Sequence, residues 1–242
     1  MKHQVLNPEH SVILEGEYDP LVVDLHRLTL DGRVRKASRK LNLNIGNTAR
    51  EKSDYPYIGS IEWEKAITLN LELNYLTLTQ LQFFNFRDLL LTGINGDKKI
   101  YNEKGSKIQT GVLKAAYDEI FGIRDPWRGE YLDAHYPLVN GVLRQNHSHV
   151  LINGNLVPQH SDLITDYLQE NCYIDPTHYN KQGLPTKESR KGEFFYTHPS
   201  ENSVTRFSAD SGRAFLYCDW DPQYSNSSLG VRAAKLYTRK NI

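Results

Sequence analysis

Two apolar runs with a period-two pattern lie near the end of the chain, at positions 214–218 and 229–233. Alternation with a period of two is typical of β-strands. The residues between the runs are polar and aromatic and include Asp221 and Pro222, a pair that indicates a turn. The pattern therefore predicts an antiparallel pair of strands with a long connection.

Successive side chains of a strand point to opposite faces. In the first run one set is predicted to face a core: Ala214, Leu216 and Cys218. The other set is predicted to face solvent: Phe215, Tyr217 and Asp219. With Trp220 and Tyr224 nearby, the exposed rings predict an apolar patch with polar groups, and such patches tend to be binding surfaces.

Amphipathic segments ahead of this region predict three helices, at about 60–74, 77–93 and 111–121. Thr77 and Gln80 form a possible capping box for the second helix. Shorter apolar runs predict strands at 12–14, 21–25, 41–45, 139–143, 150–157 and 193–197, with an Asn-Gly turn signal within 139–143 and another within 150–157. The basic run at 33–40 predicts a solvated hairpin tip, with phosphate contact as the alternative, and Ser161 is expected to cap a short helix ending near Gln169.

Composition narrows the function classes. The 242 residues contain 29 basic and 29 acidic side chains, and a zero net charge argues against binding of nucleic acid or an anionic membrane. Two cysteines favour reduced thiols. We find no signal peptide and no transmembrane segment in the sequence. Localisation is therefore unknown, and cytoplasmic by default.

The stretch 207–228 also lacks Lys, Glu and Met. Mutation of the adenines of an Asn codon reaches none of these residue types, so the gap is what adenine-directed mutagenesis would leave. Trp220 and Gln223 are exceptions to that rule. Chance depletion in a loop is the alternative.

Two sequence motifs in this stretch resemble a known protein family. The sequences RFSADSGRAFLYCDWDP, from 206 to 222, and SSLGVRAAK, from 227 to 235, resemble the carboxy-terminal variable region of proteins diversified by diversity-generating retroelements, in the archaeal branch. The resemblance extends more loosely over about 60–242. It implies an α+β, C-type-lectin-like domain, in which two helices flank a small antiparallel sheet with long irregular loops. Residues 1–55 would be a β-rich part of the same domain, and 56–242 the lectin-like domain with its variable region at about 206–232.

The resemblance also implies roles for individual residues. Side chains expected to face the ligand are Ser208, Arg213, Phe215, Tyr217, Asp219, Trp220, Tyr224, Ser225 and Asn226. Scaffold ion pairs or backbone contacts are expected from Arg206, Asp210 and Arg232. The implied function is non-enzymatic binding of an unknown macromolecule, expected to be a protein, through a hypervariable surface. No cofactor, metal, nucleic acid or membrane insertion is expected.

Other chemistry remains an alternative. A carboxylate-dependent hydrolase or sugar-active enzyme could use Asp125, Glu130 and Asp133, two carboxylates being the usual machinery of glycoside hydrolysis. The same charges, with Arg124 and Arg128, also suit a structural ion-pair network, which we favour. His135, His147, His149 and His160 are candidate zinc ligands, but hydrogen-bonding histidines are favoured. Cys218 is expected to be a buried small residue rather than a nucleophile.

Overall fold

The computed structural model describes residues 6, 8–15, 19–43, 58–123, 125, 127–190, 192 and 194–238. Within these residues the helices are α1 (Gly32–Lys40), α2 (Trp63–Glu72), α3 (Gln80–Asn95) and α4 (Thr110–Phe121), with a short 3-10 helix at Pro8–His10. The strands are β1 (Ser11–Leu14), β2 (Leu21–Arg27), β3 (Arg128–Tyr136), β4 (Leu138–Val139), β5 (Val142–Ile152), β6 (Asn155–Leu163), β7 (Cys172–Tyr173), β8 (Phe194–Thr197), β9 (Ser203–Ala209), β10 (Ala214–Trp220) and β11 (Leu229–Leu236).

The strands form one mixed sheet. Its main path runs β1-β2-β11-β3-β9-β10-β8-β7, while β5 pairs with β3 and carries β4 and β6. The pairs β3–β11 and β8–β10 are parallel, and the other pairs are antiparallel. The last strand, β11, therefore lies between an early strand, β2, and a middle one, β3.

The predicted fold class is wrong. We expected an α+β, C-type-lectin-like domain with two helices flanking a small antiparallel sheet, but the described residues contain four helices and a mixed sheet of eleven strands. The expected antiparallel pairing of the two runs at 214–218 and 229–233 is also wrong, because β9 and β3 lie between β10 and β11. The cause is β3, whose charged residues suggested a loop in the sequence although the segment is a central strand.

Each face of the sheet carries its own hydrophobic core. Along β9, Phe207 belongs to a core with residues of α3 and α4, such as Phe83 and Leu113. Val204, three residues earlier on the same strand, belongs to a core with residues of α1 and α2, such as Val34. Side chains of a strand alternate between faces, so β9 contributes residues to the cores on both faces of the sheet.

The start of α3 is set by its capping residues. The sequence Thr-Leu-Thr-Gln-Leu-Gln at 77–82 contains two overlapping Thr-x-x-Gln patterns, and the capping box forms at Thr79 and Gln82 rather than at Thr77 and Gln80.

Among the described residues, no helix is both long and apolar enough to cross a membrane.

Two local predictions are wrong. The basic run at 33–40 forms α1 instead of a hairpin tip, because the carboxylate of Asp31 accepts hydrogen bonds from the backbone of Arg33 and Val34 and caps a helix. The segment expected to be a helix after Ser161 continues β6 to Leu163. The predicted strand at 41–45 reaches beyond the described residues, and its first two residues form a turn.

Candidate ligand-binding surface

Six aromatic side chains form a continuous row on one face of the sheet, which we call the aromatic strip: Tyr173, Phe195, Phe215, Tyr217, Trp220 and Tyr224. Consecutive ring centroids lie 5.3, 6.1, 5.0, 4.9 and 5.1 Å apart. All six side chains are partly exposed. The strip is therefore a broad apolar surface with hydroxyl and indole groups along it, and it includes four residues that the sequence predicted to face a ligand.

The register of the sheet builds this row. Phe215 of β10 lies beside Phe195 of the parallel strand β8, and Phe195 lies beside Tyr173 of β7. Facing side chains on adjacent strands lie close enough for aromatic rings to touch. The alternation predicted for β10 is confirmed, since Ala214, Leu216 and Cys218 are buried whereas the residues between them are partly or fully exposed.

Two arginines stack on the strip. The guanidinium carbon of Arg213 lies 5.2 Å from the ring centroid of Tyr173, 5.9 Å from that of Phe195 and 5.8 Å from that of Phe215. Its Nη1 also donates to the Tyr173 hydroxyl. A guanidinium held over aromatic faces is stabilised by the ring quadrupoles. Arg213 thus remains half-exposed and forms part of the surface.

The second arginine, Arg206, lies beneath the strip and is only 5% exposed. Its guanidinium carbon is 3.3 Å from the ring centroid of Trp220, 4.5 Å from Tyr217, 5.2 Å from Trp127 and 5.7 Å from Tyr224. Burial lowers the pKa of Arg206 to about 10, and burial likewise raises the pKa of Tyr217. We expected scaffold ion pairs or backbone contacts here, but the guanidinium of Arg206 contacts aromatic rings in the described part of the chain and shares a hydrogen bond with the Tyr217 side chain.

The other two scaffold candidates make polar contacts. Arg232 is 2% exposed and forms a bidentate ion pair with Glu130, with Nε–Oε2 and Nη2–Oε1 distances of 3.0 and 3.1 Å. Its Nη1 also donates to the carbonyl of Asp24. The carboxylate of Asp210 accepts from the backbone N–H groups of Gly212 and Arg213, at 2.7 and 3.0 Å. These contacts fix β11 to β3 and shape the turn between β9 and β10.

Backbone contacts hold the connection at 221–228. The N–H of Ser60 donates to the Asn226 carbonyl at 2.8 Å, and the N–H of Trp63 donates to the Pro222 carbonyl at 3.1 Å. The hydroxyl of Tyr131 donates to the Tyr224 carbonyl. Side chains at positions 217, 220 and 224 can therefore change while these anchors stay in place.

Three predicted ligand-facing residues have structural contacts of their own. Ser208 is only 4% exposed and lies in register between Phe215 and Gly129. Asp219 is exposed, and its carboxylate accepts from the Thr197 hydroxyl. The side chain of Asn226 accepts from the Ser228 N–H at 2.8 Å. Ser225 is exposed. Of this set, Asp219 and Ser225 are therefore the most accessible to a ligand.

The candidate catalytic carboxylates lie in different environments. Glu130 is paired with Arg232, as described above. Asp133 is buried, and its carboxylate accepts from the backbone N–H of His149 at 2.9 Å and also contacts the His149 ring. Asp125 is exposed, and Arg124 lies outside the described residues. Arg128 pairs with Glu119. The structure thus brings Glu130 and Asp133 to one strand, each engaged with its own cationic or histidine partner.

The histidines and cysteines are also engaged. His147 Nε2 lies 3.0 Å from an Asp162 carboxylate oxygen, and the rings of His147 and His160 stack. His147, His160 and Asp133 border a cleft of about 180 Å³. The described residues contain no group of three or more side chains arranged to hold a metal ion. Burial raises the pKa of Cys218 to about 12, which keeps its thiol protonated at neutral pH.

Three residues of this surface were missed in the sequence: Tyr173, Phe195 and Trp127. The alternation at 193–197 correctly predicted a strand, β8. It did not show that this strand pairs with β10, because parallel pairing between distant segments leaves no local pattern.

Comparison with models of known protein families, with curated proteins and with solved structures finds no match to this chain.

Proposed function

We propose that the protein is a non-enzymatic binding protein whose ligand surface is centred on the aromatic strip, and that its segment at about 206–232 is diversified by adenine-directed mutagenesis from a retroelement. The expected ligand is a protein. The observation that carries this proposal is the strip itself, a row of partly exposed rings on a sheet face. Aromatic side chains supply large contact areas at low conformational cost, and neighbouring Ser, Asn and Asp residues supply adaptable hydrogen bonds.

The scaffold beneath the strip supports the diversification part. The partly exposed rings of Phe215 and Tyr217 alternate with buried Ala214, Leu216 and Cys218, so a change in either ring leaves the core with α3 and α4 intact. The connection after β10 is anchored through its backbone at Pro222, Tyr224 and Asn226. A surface held in this way accepts many sequences without loss of fold, because substitutions of exposed side chains away from special contacts cost little stability.

The alternative, a hydrolase based on Asp125, Glu130 and Asp133, gains no support from the geometry. Glu130 is occupied by Arg232, and Asp133 is occupied by the backbone and ring of His149. A general acid and base need free access to a substrate, whereas Glu130 and Asp133 are each only 3% exposed.

Sequencing of the DNA beside the gene tests diversification. We expect a reverse-transcriptase gene and a near-copy of the segment that encodes residues 206–232. Mismatches between the copies should fall at template adenines, in codons such as those of Phe215, Tyr217, Tyr224 and Asn226. Absence of a near-copy, or mismatches spread over all four bases, would refute this part of the proposal.

A pair of display libraries tests binding. One library varies the exposed positions 215, 217, 224 and 225, and the matched control varies the buried positions 214, 216 and 218. We expect the first library to remain folded and to yield binders against a chosen folded protein, whereas the second loses its fold. If the surface library yields no binder while it stays folded, the strip is not a general binding surface.

A further inference from the structure

Four buried arginines occur among the described residues: Arg27, Arg87, Arg206 and Arg232. Three of them lie close to a carboxylate, at 3.2 Å from Glu119, 2.8 Å from Asp88 and 3.0 Å from Glu130. No such pair is formed by Arg206 within the described part of the protein. An unpaired buried charge is costly, because the lost hydration is replaced only when a partner is supplied.

The hydrogen-bonding groups around Arg206 show the same deficit. Its Nε and Nη1 are buried and have no hydrogen-bond acceptor among the described residues, and the same is true of the indole Nε1 of Trp220. The Trp220 ring is also the one closest to the guanidinium, at 3.3 Å. Buried donors in native structures almost always have a partner. Neighbouring donors without an acceptor therefore mark a place that an anion would complete.

The cover of this place is made of residues from the ligand surface. Tyr217, Trp220 and Tyr224 surround the guanidinium and are themselves partly exposed. Cation–π contacts of this kind stabilise the guanidinium, but they offset only part of the cost of desolvating a cation. Movement or replacement of one ring would open a path from solvent to Arg206.

We propose that Arg206 is a covered anion site at the base of the aromatic strip, and that it receives an Asp or Glu carboxylate of a protein ligand when a covering ring moves aside or is replaced. This inference rests on the proposed binding function and names the chemistry of the partner. A carboxylate is the anion that a protein ligand carries most often on its surface. The pairing supplies charge-assisted hydrogen bonds, which are stronger than those between neutral groups.

The charge balance of the molecule argues for a single carboxylate rather than a polyanion. The chain has equal numbers of basic and acidic residues, whereas binding of a phosphate polymer calls for a basic surface that neutralises several phosphates. Among the arginines that the structure describes, the only other one stacked on the strip is Arg213, which lies at its far end over Tyr173. Between the two arginines the surface is aromatic.

The test uses the full chain with acetate as the carboxylate probe, titrated against chloride at constant ionic strength. Tyr217→Ala opens the cover, and Phe215→Ala is the matched control, since it removes a ring of the strip that does not surround Arg206. Binding is followed by the NMR signal of the Arg206 Nε–H and by tryptophan fluorescence, because Trp127 and Trp220 both flank the guanidinium.

We expect Tyr217→Ala to bind acetate about tenfold more tightly than the parent protein or Phe215→Ala, as one additional charge-assisted hydrogen bond would produce. The double variant Tyr217→Ala/Arg206→Gln should lose saturable binding. If Tyr217→Ala is not folded, Tyr224→Ala opens the same cover and carries the same expectation. Equal acetate affinity in opened and parent proteins, or binding that survives Arg206→Gln, would overturn the covered site.

Inorganic phosphate, titrated in the same way, separates ligand classes. We expect it to bind the opened variant no more tightly than acetate does, and tighter phosphate binding would overturn the assignment to a carboxylate. Failure here is distinct from failure of the proposed function. A template copy without acetate binding would remove only the covered site, whereas acetate binding without a template copy would remove only diversification.

Discussion

Neighbouring residues of β10 lie in different environments, one in the core and the next in the aromatic strip. Leu216 is fully buried in the core with α3 and α4, whereas Phe215 lies in the aromatic strip. Leu216→Ala is therefore expected to lower the free energy of unfolding by about 2–5 kcal/mol. Phe215→Ala should lower it by about 0.5–1 kcal/mol at most. Urea denaturation measures both values, and similar losses for the two variants would contradict this division.

A buried carboxyl makes stability depend on pH. Burial raises the pKa of Asp24 to about 6, so its proton binds more tightly in the folded than in the unfolded state. The stability gained from protonation is present below the unfolded pKa of about 4 and is lost as the pH rises through 6. Asp24→Asn removes the charge and should raise the free energy of unfolding by roughly 1–3 kcal/mol at pH 7.5.

The same substitution should change stability little at pH 4, where Asp24 is already protonated in the folded protein. Urea denaturation of both proteins at the two pH values is the measurement. The nearby His26, whose pKa burial lowers to about 4, has the opposite dependence but is present in both proteins. An effect of Asp24→Asn that is equal at both pH values would contradict the linkage.

Residue-level patterns in the sequence predicted orientation well and contacts poorly. The alternation in β10 gave the correct buried and exposed sets, because a pleated strand has a fixed period. The resemblance implied that Ser208 faces the ligand, but this residue is only 4% exposed, since all seven residues of β9 are buried. Arg206 was expected in ion pairs because sequence shows charge but not the rings that fold around it.

At the scale of elements, the loop that contains Gly183 docks against the start of α3. Gly183 has a φ of +80°, and a Cβ added there would lie 2.4 Å from the Leu81 nitrogen and 2.6 Å from the Gln80 carbonyl carbon. The Gln80 side chain donates to the Gly183 carbonyl at 2.9 Å. Only glycine combines this left-handed conformation with so close an approach.

Gly183→Ala is expected to destabilise the protein by more than about 2 kcal/mol, since both strain and a backbone clash arise. Gly154→Ala is the matched control, because Gly154 has a φ of +81° and open space around its Cβ position. The difference between their thermal unfolding free energies isolates the clash. Equal destabilisation of the two variants would show that the positive φ alone determines the loss of stability, and that the loop at Gly183 shifts to relieve the clash.

Elements with local signals were predictable. The three expected helices became α2, α3 and α4, and the Asn-Gly pair at 153–154 forms the two-residue turn between β5 and β6, with positive φ at both residues. β3 was missed because its charges are neutralised by distant partners, such as Arg232 for Glu130. The order of strands depends on such long-range pairings, which periodicity does not encode.

At the scale of the whole molecule, β9 lies at the centre of the sheet, between β3 and β10, with all seven of its residues buried. We expect its amides to exchange hydrogen only through global unfolding, whereas amides at 221–227, apart from those in hydrogen bonds, exchange by local opening. Native-state hydrogen exchange across a urea series measures this. Exchange of β9 at a free energy well below that of global unfolding would contradict a single cooperative structure.

The separation of β10 from β11 by two strands sets a rule for inheritance. Three strand spacings amount to about 14 Å, and the eight residues at 221–228 reach at most about 28 Å when fully extended. They also follow a folded path anchored to α2. Removal of four residues would leave a segment too short to keep both its span and its anchors. We therefore expect substitutions in this segment to be tolerated better than deletions, which suits the proposed copying that exchanges bases without gain or loss of codons.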